Sequence, residues 1–329
     1  MSKRLKVKNL LISLLIVYLI SLCFIFCNVN SVEANVTEQK KLTVGVAMIE
    51  FKHPFWGGEI QAAKDAGEKY GWDVIIRDCG GDAAIQTDVI ERFITQKVDL
   101  IILPAVEKSA LVAAVKAAND AGIPLLTVNR GIIRGRGAKP IAYVGADDYT
   151  GGRLQAEMVK QLLGKEGNII TFECRLGSGP QVERHAGLVD GLGGTNIEIL
   201  KVYPTHGDRE KALAAMQDSL LIYPKGELDA LVCHSSEEPE MLIQAIKAAG
   251  RDELIGKIIA FDFPSYIKAG ILNGNYYGTV LQDPYLQMML CMDMAWMQLS
   301  GSGVRIPDPF FTPLVAITAE NVKDIPPSW

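Results

Sequence analysis

The sequence is short of the features that mark most catalytic, metal-binding and nucleic-acid-binding chains. Only six cysteines and four histidines occur in 329 residues, and no two cysteines form a C-x-x-C pair. That spacing argues against a zinc ribbon and against a dense disulfide framework. Positive charge is not concentrated anywhere beyond residue 40, and the formal net charge is −5. A chain without a basic face is a poor partner for nucleic acid. There is no G-x-S-x-G elbow, no H-E-x-x-H pair, no phosphate-loop lysine and no base-oriented nucleophile, so no enzyme and no cofactor is expected. No low-complexity linker divides the chain.

One long apolar run is present. Lys3, Arg4, Lys6 and Lys8 precede an uncharged stretch from Leu10 to Phe26, and Val32-Glu33-Ala34 follows. A basic start, an apolar segment and a V-x-A site make a secretory signal peptide, residues 1–34, and place the mature protein in the periplasm or on the outer cell surface. The alternative is an uncleaved membrane anchor, because the run is near the lower length limit for a span. Cys23 and Cys27 follow Leu22 and Phe26 rather than small residues, which argues against lipid attachment. Removing 34 of 329 residues leaves 295, long for one core and suited to two lobes. Hydrophobic residues at 49% and charged residues at 22% describe an ordinary globule. The remaining Cys79, Cys174, Cys233 and Cys291 each lie in or beside apolar runs. Buried free thiols are the simpler expectation, with one long-range disulfide as the alternative.

Short apolar runs alternate with helix-period segments from Lys41 onward. Leu42–Met48, Val74–Arg77, Leu100–Leu103 and Pro124–Val128 read as strands, and Trp56–Tyr70, Ala84–Gln96 and Ser109–Ala121 as helices. The rhythm then restarts with strands Ile141–Gly145, Asn168–Glu173, Ile197–Val202, Ala230–Cys233 and Ile258–Phe261. The helices between them are Gly152–Leu163, Gln181–Gly191, Arg209–Tyr223, Glu240–Ala249 and Pro264–Asn273. Tyr277–Gln282 reads as a strand, Tyr285–Leu299 as a long apolar helix and Phe310–Thr318 as one final extended segment. Apolar runs without alternation are strands covered on both faces. Two such sets predict an α/β protein of two doubly wound, Rossmann-like parallel-sheet lobes. Three crossovers are expected, near Tyr143–Asp148, Leu281–Asp283 and Pro307–Phe311. They assign 41–145 plus 283–308 to the N-terminal lobe and 146–281 plus 309–329 to the C-terminal lobe.

Ligands of open parallel sheets bind beyond the carboxyl ends of the strands. The loops there carry Glu50 to Trp56, Asn129-Arg130, Gly177 to Gly179, Thr205 to Asp208, His234 to Glu238, Phe261-Asp262 and Gln282-Asp283. Aromatic faces beside Asp, Asn, Gln and Arg suit a sugar, whose C–H face packs on a ring and whose hydroxyls donate and accept together.

In these motifs the chain resembles the type I periplasmic binding proteins, the ribose- and galactose-binding group of sugar ABC transporters. The resemblance runs from Lys41 to about Val315 and rests on eight motifs in order. They are His53-Pro54-Phe55-Trp56, Asn129-Arg130-Gly131, Tyr143 to Asp148 with Gly151-Gly152, Glu183-Arg184-x-x-Gly187, Ala230-Leu231-Val232, Ser235-Ser236-Glu237, Phe261-Asp262, and Thr279-Val280-x-Gln282. The resemblance implies a two-lobed protein that closes on a sugar or polyol and delivers it to the membrane permease of an ABC importer, as a monomer. It implies that His53, Phe55 and Trp56 form a first-lobe wall and that Asn129 and Arg130 grip hydroxyls. Asp262 and Gln282 would complete the polar shell, with Arg184, Ser235 and Glu237 as further candidates from the second lobe. Asp147 and Asp283 fall at crossovers and are hinge candidates. Three positions depart from the ribose type: Val182, Gly207 and the pair Ser235-Ser236, all in the second lobe. They argue against ribose itself as the ligand.

Each motif also has a plainer reading. The histidines His53, His185, His206 and His234 lie in or beside ligand-side loops, but their spacing matches no metal motif. Gly177-Ser178-Gly179 is read as a tight turn rather than a phosphate cradle, and Glu237, Glu238 and Glu240 as a solvated helix start. Methionines 288, 289, 292, 294 and 297 are read as core at helical spacing. A sensory protein that hands its closed form to a chemoreceptor or sensor kinase is the main functional alternative.

Overall fold

A computed structural model describes residues 41–329. The expected leader and its cleavage site lie outside the described residues. Among the described residues, no helix is long and apolar enough to cross a membrane.

Two six-stranded sheets, built to the same plan, organise the chain. The first contains β1 (Thr43–Met48), β2 (Asp73–Asp78), β3 (Leu100–Leu103), β4 (Leu125–Val128), β5 (Tyr143–Ala146) and β11 (Phe310–Thr312). Its order is β11-β5-β4-β3-β1-β2, and all its pairs are parallel. The second contains β6 (Glu166–Glu173), β7 (Asn196–Pro204), β8 (Ala230–Cys233), β9 (Ile258–Phe261), β10 (Gly278–Leu281) and β12 (Val315–Thr318), in the order β12-β10-β9-β8-β6-β7. Only β12 runs antiparallel, against β10.

Nine helices link the described strands: α1 (Pro54–Tyr70), α2 (Ala83–Gln96), α3 (Val112–Asp120), α4 (Asp148–Leu163), α5 (Gly179–Gly191), α6 (Arg209–Ile222), α7 (Pro239–Ala248), α8 (Ser265–Leu272) and α9 (Pro284–Leu299). The central strands are buried from end to end, as their unbroken apolar runs require. Successive residues of one strand serve opposite cores. Leu100 and Ile102 pack on the side of α1 and α9, with Met288, Cys291 and Met292. Ile101 and Leu103 pack with Ile90, Phe93 and Val115 of α2 and α3. The methionines at 288, 292 and 294 of α9 are therefore core, and the four cysteines are free thiols.

The chain leaves the first sheet after β5, returns between β10 and α9, and leaves again between β11 and β12. This last crossover corrects the sequence reading. Phe310–Thr312 pairs with β5 in the first lobe, Phe310 opposite Val144, so residues 309–312 do not belong with the second lobe. The expected single segment is two strands in different sheets, separated by Pro313-Leu314, where the chain changes lobe.

Two glycines set the approach of α4 to α5. A Cβ at Gly152 would stand 2.0 Å from the carbonyl oxygen of Arg184, and one at Gly187 would stand 2.0 Å from that of Tyr149. Only glycine permits this reciprocal backbone contact. It brings Arg184 of α5 beside Asp148 at the start of α4.

Candidate functional site

The strand ends of both sheets surround a cavity of about 450 Å³. All ten sequence-derived candidates line it: His53, Phe55, Trp56, Asn129, Arg130, Arg184, Ser235, Glu237, Asp262 and Gln282. Local chemistry places each one.

His53 precedes α1, and its Nδ1 accepts the Phe55 N–H at 3.2 Å. Because Nδ1 is an acceptor there, Nε2 carries the proton and faces Glu237 Oε1 across the cleft. Burial disfavours a charged His53, but the Glu237 carboxylate outweighs it and holds the pKa above the ordinary value. Burial pushes Glu237 up in turn, and His53 reverses that, leaving its pKa below the usual range. The two residues thus meet each other from opposite lobes.

Phe55 and Trp56 stand edge to face, 4.8 Å between centroids, and Trp329 packs edge-on against Phe55 at 5.3 Å. The Arg130 guanidinium lies 5.2 Å from the Trp56 ring centre, within cation–π range. Its buried Nε has no hydrogen-bond partner among the described residues. Asn129 and Asp262 close β4 and β9 in the left-handed backbone region, at φ 55° and 71°. Asn and Asp tolerate that conformation better than most residues. Each lobe therefore turns a short polar side chain off the end of a central strand by the same device.

Asp262 Oδ1 accepts Gln282 Nε2 at 2.7 Å. Burial raises the Asp262 pKa to about 6, against the opposing charge of Arg184. Arg184 itself is largely committed. Its Nε donates to Asp148 Oδ1 at 2.8 Å, Nη1 donates to the His234 carbonyl, and the guanidinium lies 3.5 Å from the Phe261 ring centre. Ser235 donates its hydroxyl to Glu238.

The hinge candidates cap helices. Asp147 accepts from Thr150 N at 3.1 Å and from its hydroxyl at 2.7 Å at the start of α4, and Asp283 accepts from Leu286 N at 3.0 Å at the start of α9.

Glu237 and Glu238 do not form a solvated helix start. Glu238 is fully buried, accepts Thr205 Oγ1 at 2.8 Å and has its pKa pushed to about 7 by burial and by Glu237. The loop folds inward because these hydroxyls satisfy the carboxylate; only Glu240 reaches outward, to Arg209. The four histidines fall into two places: His185 Nδ1 and the buried His234 Nε2 both approach Glu173 Oε1, at 2.6 and 3.7 Å, while His53 and His206 line the cavity. Among the described residues no His, Cys, Asp and Glu group could hold a metal. Ser178 caps α5 through Gln181 N, so the Gly177–Gly179 segment is a helix entry.

The cavity also takes in Glu50, Val106, Cys174, Arg175, Pro180, Asp208 and Lys211, none of them in the candidate set. Val106, Cys174 and Pro180 carry no sequence signal for a polar ligand. Asp208 and Lys211 belong to a loop and helix start already singled out.

A family profile described as periplasmic binding protein domain matches residues 44–303. The ribose import binding protein of Bacillus subtilis (strain 168) is 28% identical over 272 residues, 83% of this chain and 86% of that protein. The xylitol-binding protein of Mycolicibacterium smegmatis is 26% identical, over 76% of this chain and 70% of that protein. An ABC transporter solute binding protein from Bacillus halodurans C-125, solved with bound myo-inositol, is 27% identical, with a TM-score of 0.77 over 87% of this chain and 96% of the other. These three relatives are binding proteins, for ribose, for xylitol and, in the solved structure, with myo-inositol bound. The chain belongs to the type I periplasmic binding proteins, in the sugar-binding group that serves ABC transporters.

Proposed function

We propose that the cavity captures one uncharged sugar or polyol between the two lobes, that capture favours the closed form, and that this form delivers the ligand to the permease of an ABC importer. The protein would be exported by its leader and would act as a monomer. The observation that carries the reading is the unpartnered Arg130 Nε beside the Trp56 ring, on the same cavity as the Asp262 carboxyl of the other lobe. An aromatic face, a guanidinium and a carboxyl on one cavity fit a ring bearing neighbouring hydroxyls.

Most of the other cavity charges are matched within the protein, and the two that form no ion pair among the described residues, Glu50 and Arg175, are of opposite sign. Glu237 meets His53, Arg184 meets Asp148, and Asp208 lies 3.5 Å from Lys211. That pairing favours a neutral ligand over a sugar acid or phosphate. The closed state is held across the cleft by His53–Glu237 and by Lys108–Glu183. A ligand that binds only this state shifts the lobes toward it by its differential affinity.

A thermal-shift screen of pentoses, hexoses, polyols and sugar acids on the purified protein tests the reading. A true ligand at a hundred times its Kd should add about 2.7 kcal/mol of stability. Stabilisation by sugar acids or phosphates alone would overturn it.

A further inference from the structure

Gln287 contributes nothing to the cavity wall, yet it joins the two sides of it. It lies on α9, fully buried. Its Oε1 accepts Asn129 Nδ2 at 2.8 Å, and its Nε2 donates to Gln282 Oε1 at 3.0 Å. Gln282 Nε2 in turn donates to Asp262 Oδ1 at 2.7 Å. The four side chains form one relay, from the end of β4 in the first lobe, through the crossover, to the end of β9 in the second. Asn129, Gln282 and Asp262 all line the cavity.

The direction of this relay is forced by its last member. A carboxylate only accepts, so Gln282 must turn its nitrogen to Asp262 and its oxygen to Gln287. Gln287 must then turn its nitrogen to Gln282 and its oxygen to Asn129, which commits an N–H of Asn129 inward. Asn129 Oδ1 and Asp262 Oδ2 are left as acceptors for a ligand. With the opposite orientation Asn129 would offer an N–H instead.

We infer that Gln287 is a positioning residue that fixes the donor and acceptor pattern of the cavity, so that the site selects a ligand donating one hydroxyl proton to Asn129 and another to Asp262. This rests on the reading of the cavity as the ligand site. The arrangement is more than core packing, because a residue needed only for volume on the methionine-rich face of α9 would not require an amide.

The test uses Q287E and Q287L in the whole protein. Q287E keeps the shape and still accepts from Asn129, but once ionised it cannot donate to Gln282. Gln282 then turns its nitrogen toward position 287, and Asp262 loses its donor. The Asp262 carboxyl, followed by carbon-13 NMR against pH, should therefore titrate higher than in the wild type. Arg184, Glu237 and His53 also act on Asp262 and are untouched, whereas the new carboxylate repels Asp262 directly. The reversal is therefore also read from the Gln282 side-chain amide proton shifts, which change to report a new acceptor only if the relay turns. Should Q287E fail to fold, Asn129→Asp imposes the same reversal from the other end, since an aspartate there can only accept.

Calorimetry with D-ribose and myo-inositol as probes supplies the second readout. Whichever binds the wild type should bind Q287E and Q287L about tenfold more weakly, because each leaves buried polar groups unpaired. An unmoved Asp262 titration or unmoved Gln282 amide shifts in Q287E, or equal affinities beside moved ones, overturn the inference. If the wild type binds neither probe, the cavity reading loses its support, and the Asp262 titration with the Gln282 amide shifts still decides whether Gln287 sets the relay.

Discussion

Glu59→Gln should stabilise the protein by an amount that grows with pH. Glu59 lies on α1, fully buried, and neither carboxyl oxygen has a hydrogen-bond partner among the described residues. Burial raises its pKa from 4.5 to about 8, against the opposing charge of Arg130. The folded protein therefore holds a proton that the unfolded chain releases above pH 4.5. A raised folded pKa means that its stability contribution is intact below the unfolded pKa and is lost as pH rises through the folded one. At pH 7 the loss spans 2.5 pH units from the 4.5 reference, about 3 kcal/mol at 1.36 kcal/mol per unit. Gln has nearly the same shape and no proton to release. Urea unfolding of both proteins between pH 4.5 and 8.5 should show a difference near zero at the acid end and about 3 kcal/mol at neutrality. A difference that stays flat across that range would refute the reasoning, since an unlinked packing effect has no pH dependence.

Other outcomes follow from the same geometry. Glu237→Gln removes the carboxylate that holds the His53 pKa up, so burial should prevail and the His53 ring protons should titrate at lower pH by NMR than in the wild type; an unchanged midpoint would contradict the cross-cleft pair. Gly152→Ala would drive a Cβ to 2.0 Å from the Arg184 carbonyl, and overpacking against backbone should cost about 1–3 kcal/mol. A melting temperature equal to the wild type would mean that α4 and α5 do not meet as described.

Much of the fold was legible because its physics is local. Leu100–Leu103, Ala230–Cys233 and Ile258–Phe261 are short apolar runs that only a strand buried on both faces explains, and their boundaries are those expected. The segment from Phe310 to Thr318 was not legible in the same way. Its two strands have similar composition, and which sheet each joins depends on pairing with β5 and β10, distant in sequence. The cavity residues were found wherever a polar or aromatic side chain follows a strand, as at Asn129, Arg130 and Asp262. Burial of Glu237 and Glu238 was missed because three glutamates at a helix start look like solvated charge until Thr205 and Ser235 are seen to satisfy one of them. Glu59 and Gln287 were missed for a related reason. A single polar residue in a helix reads as surface, and only the packing of α1 and α9 on the sheet turns it inward.

The central claim, that a neutral polyol is held between Trp56, Arg130 and Asp262, is tested most directly by calorimetric titration of the wild type, Arg130→Ala and Asp262→Ala with the most stabilising compound of the screen. The account expects stoichiometric binding by the wild type and affinities at least about tenfold weaker in both variants, because each leaves its buried partner groups unmatched. Wild-type affinity in both variants, with circular dichroism unchanged, would place the ligand elsewhere and contradict the account.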